Sequence, residues 1–345
     1  MDLALYAPGL GYYERSQRTV GRRGDFYTSV SVGSVFGDLL AFQLAHWLEE
    51  LPRESRLELV ESGAHNGQLA VDLLNWFHLH RPYLAARLQL WLVEPSTIRQ
   101  AWQAESLHRF VSQVNWATCL ADLATQTGGI HGVFYSNELL DAFPVHRVSW
   151  NPRAQTWEEV GVAWQAGAFA WAPLAIPAPA AQEGLARLNQ LPAELRMVLP
   201  AGFTTELTPA AEDWWSGAAQ CLRAGRLVTL DYGLTDEEFL LPQRSLGTLR
   251  TYAQHRPAAH PLENPGEQDL TAHINLSSLQ KKGEAAGLIT EFNTTQRQWL
   301  TGILSQTLAV PDLFPPWHSS RVRQFQTLTH PEHLGRSFRV LVQRR

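Results

Sequence analysis

The apolar residues Phe36, Leu39, Leu40, Leu44, Trp47, Leu48 and Leu51 recur at steps of three and four, which predicts a helix with one buried stripe, ended by Pro52. A short apolar run, Leu57 to Val60, then closes on Glu61 and the turn Ser62-Gly63-Ala64-His65-Asn66-Gly67. Helical spacing resumes at Leu69, Leu73, Leu74 and Phe77. The alternation repeats: Leu88 to Val93 ends at Glu94-Pro95, and a helix is expected from Ser96 as its N-cap. Gly132 to Tyr135 leads into the polar turn 136–144, Leu227 to Leu230 leads into Asp231-Tyr232-Gly233, and Phe338 to Val342 reads as a last strand. Strands alternating with helices predict an α/β fold, a mostly parallel Rossmann-like sheet with helices on both faces. Ligands of such sheets bind outside the carboxyl ends of the strands, so the four polar turns should face one cleft.

Between Val145 and about Leu207 the helical period is lost. His146 to Trp150, Thr156 to Trp164 and Val198 to Leu207 read as strands around an Ala/Pro-rich stretch at 166–184, a β-rich insertion. A second interruption, 234–269, is rich in Pro, Gly and His and longer than a plain connection.

Composition narrows the class. Of 345 residues, 45% are hydrophobic and 18% charged, which describes a globular chain with a substantial core. The net charge of −5 and the scattered basic residues argue against nucleic acid. Cys119 and Cys221 lack metal-ligand spacing, no apolar run reaches the length of a membrane helix, and the first residues lack a targeting pattern. The expectation is a cytoplasmic protein with no metal and no membrane insertion.

The turns carry the candidate chemistry. Glycines before a helix N-terminus admit a nucleotide closely. Glu61 at the strand end would repel the pyrophosphate of NAD yet attract the ammonium and sulfonium of S-adenosyl-L-methionine, and Glu94 could accept hydrogen bonds from ribose hydroxyls of either. Asn137, Glu138 and Asp141 crowd carboxylates and an amide beside Leu139, Leu140, Phe143 and Pro144. Partly desolvated acids call for a cation, and paired ones suit a guanidinium. The plainer alternative makes Asp141 a helix N-cap and Glu138 a surface acid.

Several motifs in order resemble one family over nearly the whole chain: Gly11-Tyr12-Tyr13, Gly24-Asp25-Phe26-Tyr27-Thr28-Ser29, Glu61-Ser62-Gly63, Glu94-Pro95-Ser96, the run 136–145, Asp231-Tyr232-Gly233, Gly247-Thr248-Leu249-Arg250, the run 261–266 and Asp269-Leu270-Thr271-Ala272-His273. The chain resembles the MidA family of S-adenosylmethionine-dependent class I protein arginine methyltransferases, which includes the mitochondrial methyltransferase that assists assembly of respiratory complex I. The resemblance implies that Glu61, Gly63, Gly67, Glu94 and Asn137 hold the donor, with Phe26, Thr28 and Ser29 closing over it. It implies Asn137, Glu138 and Asp141 as the catalytic group, with Arg250, Tyr252 and His273 as a substrate-side wall. His273 as a satisfied buried imidazole is an equal alternative.

It also implies a protein substrate, with a respiratory-complex subunit among the candidates; a homodimer is left open. The expected organisation is a cofactor-capping helical segment at 1–55, methyltransferase core halves at 56–144 and 208–345, the insertion at 145–207, and a substrate-side loop at 234–269. The chain departs from the family pattern at His65, where a glycine is usual, at Asn66, and at Val30-Ser31 in place of Pro-Glu. A non-catalytic assembly factor that keeps the fold is the competing reading, followed distantly by a nicotinamide dehydrogenase.

Overall fold

The computed structural model describes residues 1–14, 28–52, 56–253, 256–257 and 260–345, with 252–253 and 256–257 described in their backbone alone. In chain order the first strands are β1 (Leu57–Ser62), β2 (Leu88–Val93), β3 (Val114–Ala117) and β4 (Ile130–Asn137). Next come β5 (His146–Asn151), β6 (Thr156–Gln165), β7 (Ala168–Pro173) and β8 (Thr204–Leu207). Then follow β9 (Leu222–Leu234), β10 (Arg250–Ala253), β11 (Arg256–Pro257), β12 (Asp269–Thr271), β13 (Ile274–Asn275), β14 (Ile289–Thr295) and β15 (Phe338–Arg344).

The chain divides into two compact units. The larger comprises Arg18–Leu139, Trp215–Tyr232 and Gln280–Arg345. Its sheet runs β14-β15-β9-β4-β1-β2-β3, parallel from β9 to β3 and antiparallel at β14 and β15. The central strands are buried on both faces, which is why they read as unbroken apolar runs rather than as alternations. Gly132 of β4 has a packing reason, since a Cβ there would collide with the Glu58 carbonyl of β1.

The helix Ser34–Glu49 presents Phe36, Leu39, Leu40 and Leu44 to this core, and Phe42 meets the Trp76 ring of the helix Gln68–His80 edge-on at 6.2 Å. Ion pairs also tie its elements together. Arg226 bridges Glu291 and Glu50 at 2.7 Å each, and Arg321 donates to Asp38 at 2.7 Å.

The second unit comprises Met1–Gln17, Leu140–Trp214 and Gly233–Leu279. It holds an antiparallel sheet β7-β6-β5-β8 and a three-stranded sheet β11-β10-β12. One face of the first sheet packs Val148, Trp150 and Trp157 on Leu185, Leu199 and Phe203. Two sequence expectations change here. The strand expected at 198–207 starts only at Thr204, because Val198 closes the helix Ala193–Val198 and Phe203 N donates to the Pro200 carbonyl in a turn with Gly202 at φ 76°. Within the Ala/Pro-rich stretch, β7 pairs with β6 along its length. The interruption at 234–269 is likewise structured, with a short helix Asp236–Phe239 and β10 paired to β12. No helix among the described residues is long and apolar enough to cross a membrane.

Candidate active site

Parallel pairing sets the carboxyl ends of β1, β2 and β4 side by side: Ser62 lies opposite Val93 on one flank and Ser136 on the other. Glu61 is buried, with 3% of its surface exposed, and accepts a hydrogen bond from the Tyr135 hydroxyl at 2.9 Å. Burial raises its carboxyl from 4.5 to about 7; the phenol opposes the shift and the carboxylate of Asp72 adds to it. The following turn keeps a left-handed path, with Gly63 at φ 78°, His65 at 48° and Gly67 at 80°. His65 tolerates this better than most side chains, and its ring turns toward Trp102, centroids 5.9 Å apart. A Cβ on Gly63 would stand 2.8 Å from Leu139 Cδ1, so the turns after β1 and β4 are in contact. Gly67 opens the helix Gln68–His80 and accepts from Val71 N at 3.0 Å.

Glu94 follows β2 and is buried. Its Oε1 accepts from Ser96 N at 3.0 Å and its Oε2 from Gln103 Nε2 at 3.1 Å. Ser96 holds the N-cap position of Thr97–Ser106 as the sequence predicts, without a side-chain cap bond. The same Gln103 amide donates to the His65 carbonyl at 3.1 Å, and Gln103 Oε1 accepts from Trp116 Nε1 at 3.0 Å. One fully buried amide thus ties the acid after β2 to the turn after β1.

Glu138 follows β4 at φ 53°, an uncommon conformation for a residue with a side chain. Its Oε1 accepts from Ser29 N at 3.0 Å and from Asn137 Nδ2 at 3.1 Å. Ser29 is fixed in turn: Thr28 caps the helix Ser29–Val32 with a reciprocal bond to Ser31, and Ser29 Oγ donates to Gln296 Oε1 at 3.3 Å. Desolvation raises Glu138 from 4.5 to about 8 against the bonds from Ser29 and Asn137. Asn137 Oδ1 is buried with no hydrogen-bond partner among the described residues. This is no free surface acid, and a buried acceptor without a donor calls for one.

Glu61, Glu94, Asn137, Glu138 and Ser29 are legible in the sequence; Tyr135, Gln103 and Gln296 emerge from the fold. A glutamine on the inner stripe of an amphipathic helix was the available signal for Gln103. Phe26 lies outside the described residues.

Asp141, Arg250, Tyr252 and His273 belong to the second unit. Asp141 is buried in the 3₁₀ turn Leu140–Ala142, where its carbonyl accepts from Ala272 N at 2.9 Å; it caps no α-helix. Nearby, Tyr13 donates to Asp269 at 3.0 Å, and burial, then Asp269, holds this phenol well above 10. Arg250 is exposed and donates to the Leu249 carbonyl at 2.9 Å. His273 is driven down to about 4 by burial first, then by Arg244 and Arg250, so its ring is neutral at pH 7. The Tyr252 side chain is outside the described atoms. Direct hydrogen bonds therefore join Ser29, Asn137 and Glu138, and Gln103 joins Glu94 to the glycine turn.

The family model for S-adenosyl-L-methionine-dependent methyltransferases matches residues 39–294. The chain belongs to this family. It is 25% identical over 368 residues to protein arginine methyltransferase NDUFAF7, mitochondrial, of Danio rerio, covering 98% of this chain and 80% of that one. It is 27% identical to the Caenorhabditis elegans homologue, also named mitochondrial, covering 81% and 66%. A Burkholderia thailandensis methyltransferase bound to S-adenosyl-homocysteine superposes with a TM-score of 0.84 at 29% identity, covering all of this chain and 86% of that one. A native crystal structure of a protein of the same superfamily and organism gives 0.80 at 30%. The mitochondrial names of the relatives overturn the expectation of a cytoplasmic protein. Composition reports only that a protein meets water, which is common to several compartments.

The methyltransferase uses S-adenosyl-L-methionine, and its residues suit that donor. Glu61 and Glu138 are carboxyls raised by burial, and among the described residues no cation is one of the groups that shift them. A positively charged ligand would return both to the ionised form. The glycine turn and the helix end behind it leave backbone amides at the strand ends.

Proposed function

We propose that this methyltransferase modifies an arginine side chain of a protein, with a respiratory-complex subunit as the substrate class. The observation that carries the reading is Glu138, held by Ser29 and Asn137 at a strained backbone position beside the unpartnered acceptor Asn137 Oδ1. A guanidinium offers five N–H donors and a fixed positive charge, which suits an acid and an amide oxygen that lack a cation and a donor. The relatives named as protein arginine methyltransferases support the same class. We also read residues 145–207 as an insertion into the methyltransferase core, and Thr28 and Ser29 as part of its cofactor cap.

The donor supplies an electrophilic methyl group on a positively charged sulfur. Glu138, ionised, accepts N–H bonds from the guanidinium and fixes the attacking nitrogen. The same carboxylate is placed to take the proton that this nitrogen gives up on methylation. Asn137 Oδ1 accepts a further N–H. Alignment of this kind can recover about 7–11 kcal/mol of barrier.

Glu138→Gln keeps the acceptor for Ser29 N and removes the charge. With labelled donor and arginine-containing substrate, kcat should fall by about 100-fold or more, a larger loss than that of donor affinity. Undiminished transfer would exclude the assigned role.

A further inference from the structure

The antiparallel sheet of the second unit has two unlike faces. Val148, Trp150 and Trp157 turn to its own core, and strand alternation sends the intervening side chains the other way. On that outer face Val162 stands opposite Trp171 and Trp164 opposite Phe169. Trp164 is 64% exposed and Phe169 43%, their rings packed edge-on at 4.9 Å. Residues 160–182 contain no charged side chain. This is an apolar, aromatic strip of the kind that marks a contact surface.

The strip ends in guanidinium. Arg147 of β5 lies 4.5 Å over the Trp171 ring and donates to the Leu246 carbonyl at 2.8 Å, which ties the face to the loop that carries Arg244 and Arg250. Arg147 Nε and Arg244 Nε are buried N–H groups with no hydrogen-bond partner among the described residues. Against these cations stand Glu206, buried beneath Arg147 with Nε 3.9 Å from its Oε1, and Glu238, which acts on His273. Among these described groups three guanidiniums stand against two acids, and His273 is neutral among them.

We propose that this outer face is a docking surface for the protein substrate, binding a segment in which apolar side chains adjoin a carboxylate. The apolar groups cover Val162, Trp164 and Phe169, and the carboxylate takes N–H donors of Arg147, Arg244 and Arg250. A neutral aromatic strip favours no charge, so the guanidinium end determines which segments are accepted. The proposal rests on the reading that the chain modifies a protein, but not on which residue is methylated.

The test uses the full chain and fluorescein-labelled peptides of alternating leucine and aspartate ending in one arginine, compared with versions carrying asparagine or lysine for aspartate. Fluorescence anisotropy should show the aspartate peptide binding about tenfold or more tightly than the asparagine one, and the lysine version weakest. The double substitution R244E/R250E should erase that preference. W164S/F169S should weaken the aspartate and asparagine peptides alike by about tenfold, with the melting temperature and S-adenosyl-homocysteine affinity unchanged.

A further peptide with its arginine replaced by lysine should dock equally well. Docking without methyl transfer to the arginine peptide would leave this proposal standing and sink the arginine reading. Methyl transfer without charge preference or variant effects would sink this proposal alone. It would also fall if inorganic phosphate occupied the basic end while no peptide bound, or if W164S/F169S merely turned a dimer into monomers.

Discussion

Replacing Glu61 by glutamine removes a buried charge while leaving an oxygen to accept from the Tyr135 hydroxyl, so stability and donor binding should respond in opposite directions. In the unfolded chain this carboxyl ionises near 4.5; in the folded chain it ionises near 7, because burial penalises the charge. Between those values the native state retains a proton that the unfolded state has lost. The contribution is therefore fully present below pH 4.5 and is lost as pH rises through 7. A displacement of that size corresponds to about 3 kcal/mol. Urea denaturation followed by tryptophan fluorescence at pH 5 and pH 8 should show the wild type losing about 2–3 kcal/mol more than Glu61→Gln over that interval. The variant should also bind S-adenosyl-L-methionine about 10- to 100-fold more weakly, the loss of one charge-assisted partner. Donor binding to the wild type near pH 6 should release protons, measured as a dependence of binding heat on buffer ionisation enthalpy, and the variant should release fewer. Parallel stability curves for the two proteins, or equal proton release, would refute the assignment of Glu61 as a protonated acid awaiting a cation.

Because the Glu138 carboxyl is raised to about 8, kcat/KM for the protein substrate should climb from pH 6 to about pH 8 and then level; initial rates that are flat over this range would contradict an ionised Glu138 in the free enzyme. Gly63→Ala places a methyl 2.8 Å from Leu139 at φ 78°, so about 1–2 kcal/mol of backbone strain and at least a tenfold loss of donor affinity by calorimetry are expected. Arg321→Ala leaves Asp38 buried without its partner and should cost about 3–5 kcal/mol in urea denaturation, much of it recovered in the double variant Asp38→Leu/Arg321→Met; a loss under about 1 kcal/mol would show the pair to be incidental.

The elements legible in the sequence were those whose burial leaves a pattern. β1, β2 and β4 are apolar without interruption because both their faces are covered, and each is followed by a polar turn. β14 was illegible for the opposite reason: at the sheet edge none of its residues Ile289–Thr295 is buried, so no face is selected for apolarity. β7 hid among alanines and prolines, although Phe169 and Trp171 carried a period of two. At the site, strand-end acids could be read from position alone. The Gln103 amide and the Tyr135 hydroxyl could not, since their partners come from β2, β3 and β1, and only the sheet register brings those together. Glu138 and Asp141, three residues apart, fall on either side of the division between the units, Glu138 accepting from Ser29 N and Asp141 acting on Tyr13.

Backbone strain in the larger unit gathers at the strand ends. Among its described residues, the side chains at positive φ are His65 and Glu138, and both lie in turns at the carboxyl ends of parallel strands. The same turns hold two carboxyls raised toward neutrality and a buried amide oxygen lacking a donor. Each feature costs stability, and a fold under selection for stability alone would replace them with glycine or apolar side chains. A cationic ligand reverses the electrostatic part of that cost: it ionises Glu61 and Glu138 and supplies the donor that Asn137 lacks. The strained turns, the raised acids and the unpaired acceptor then share one cause, a site built to be completed by positive charge.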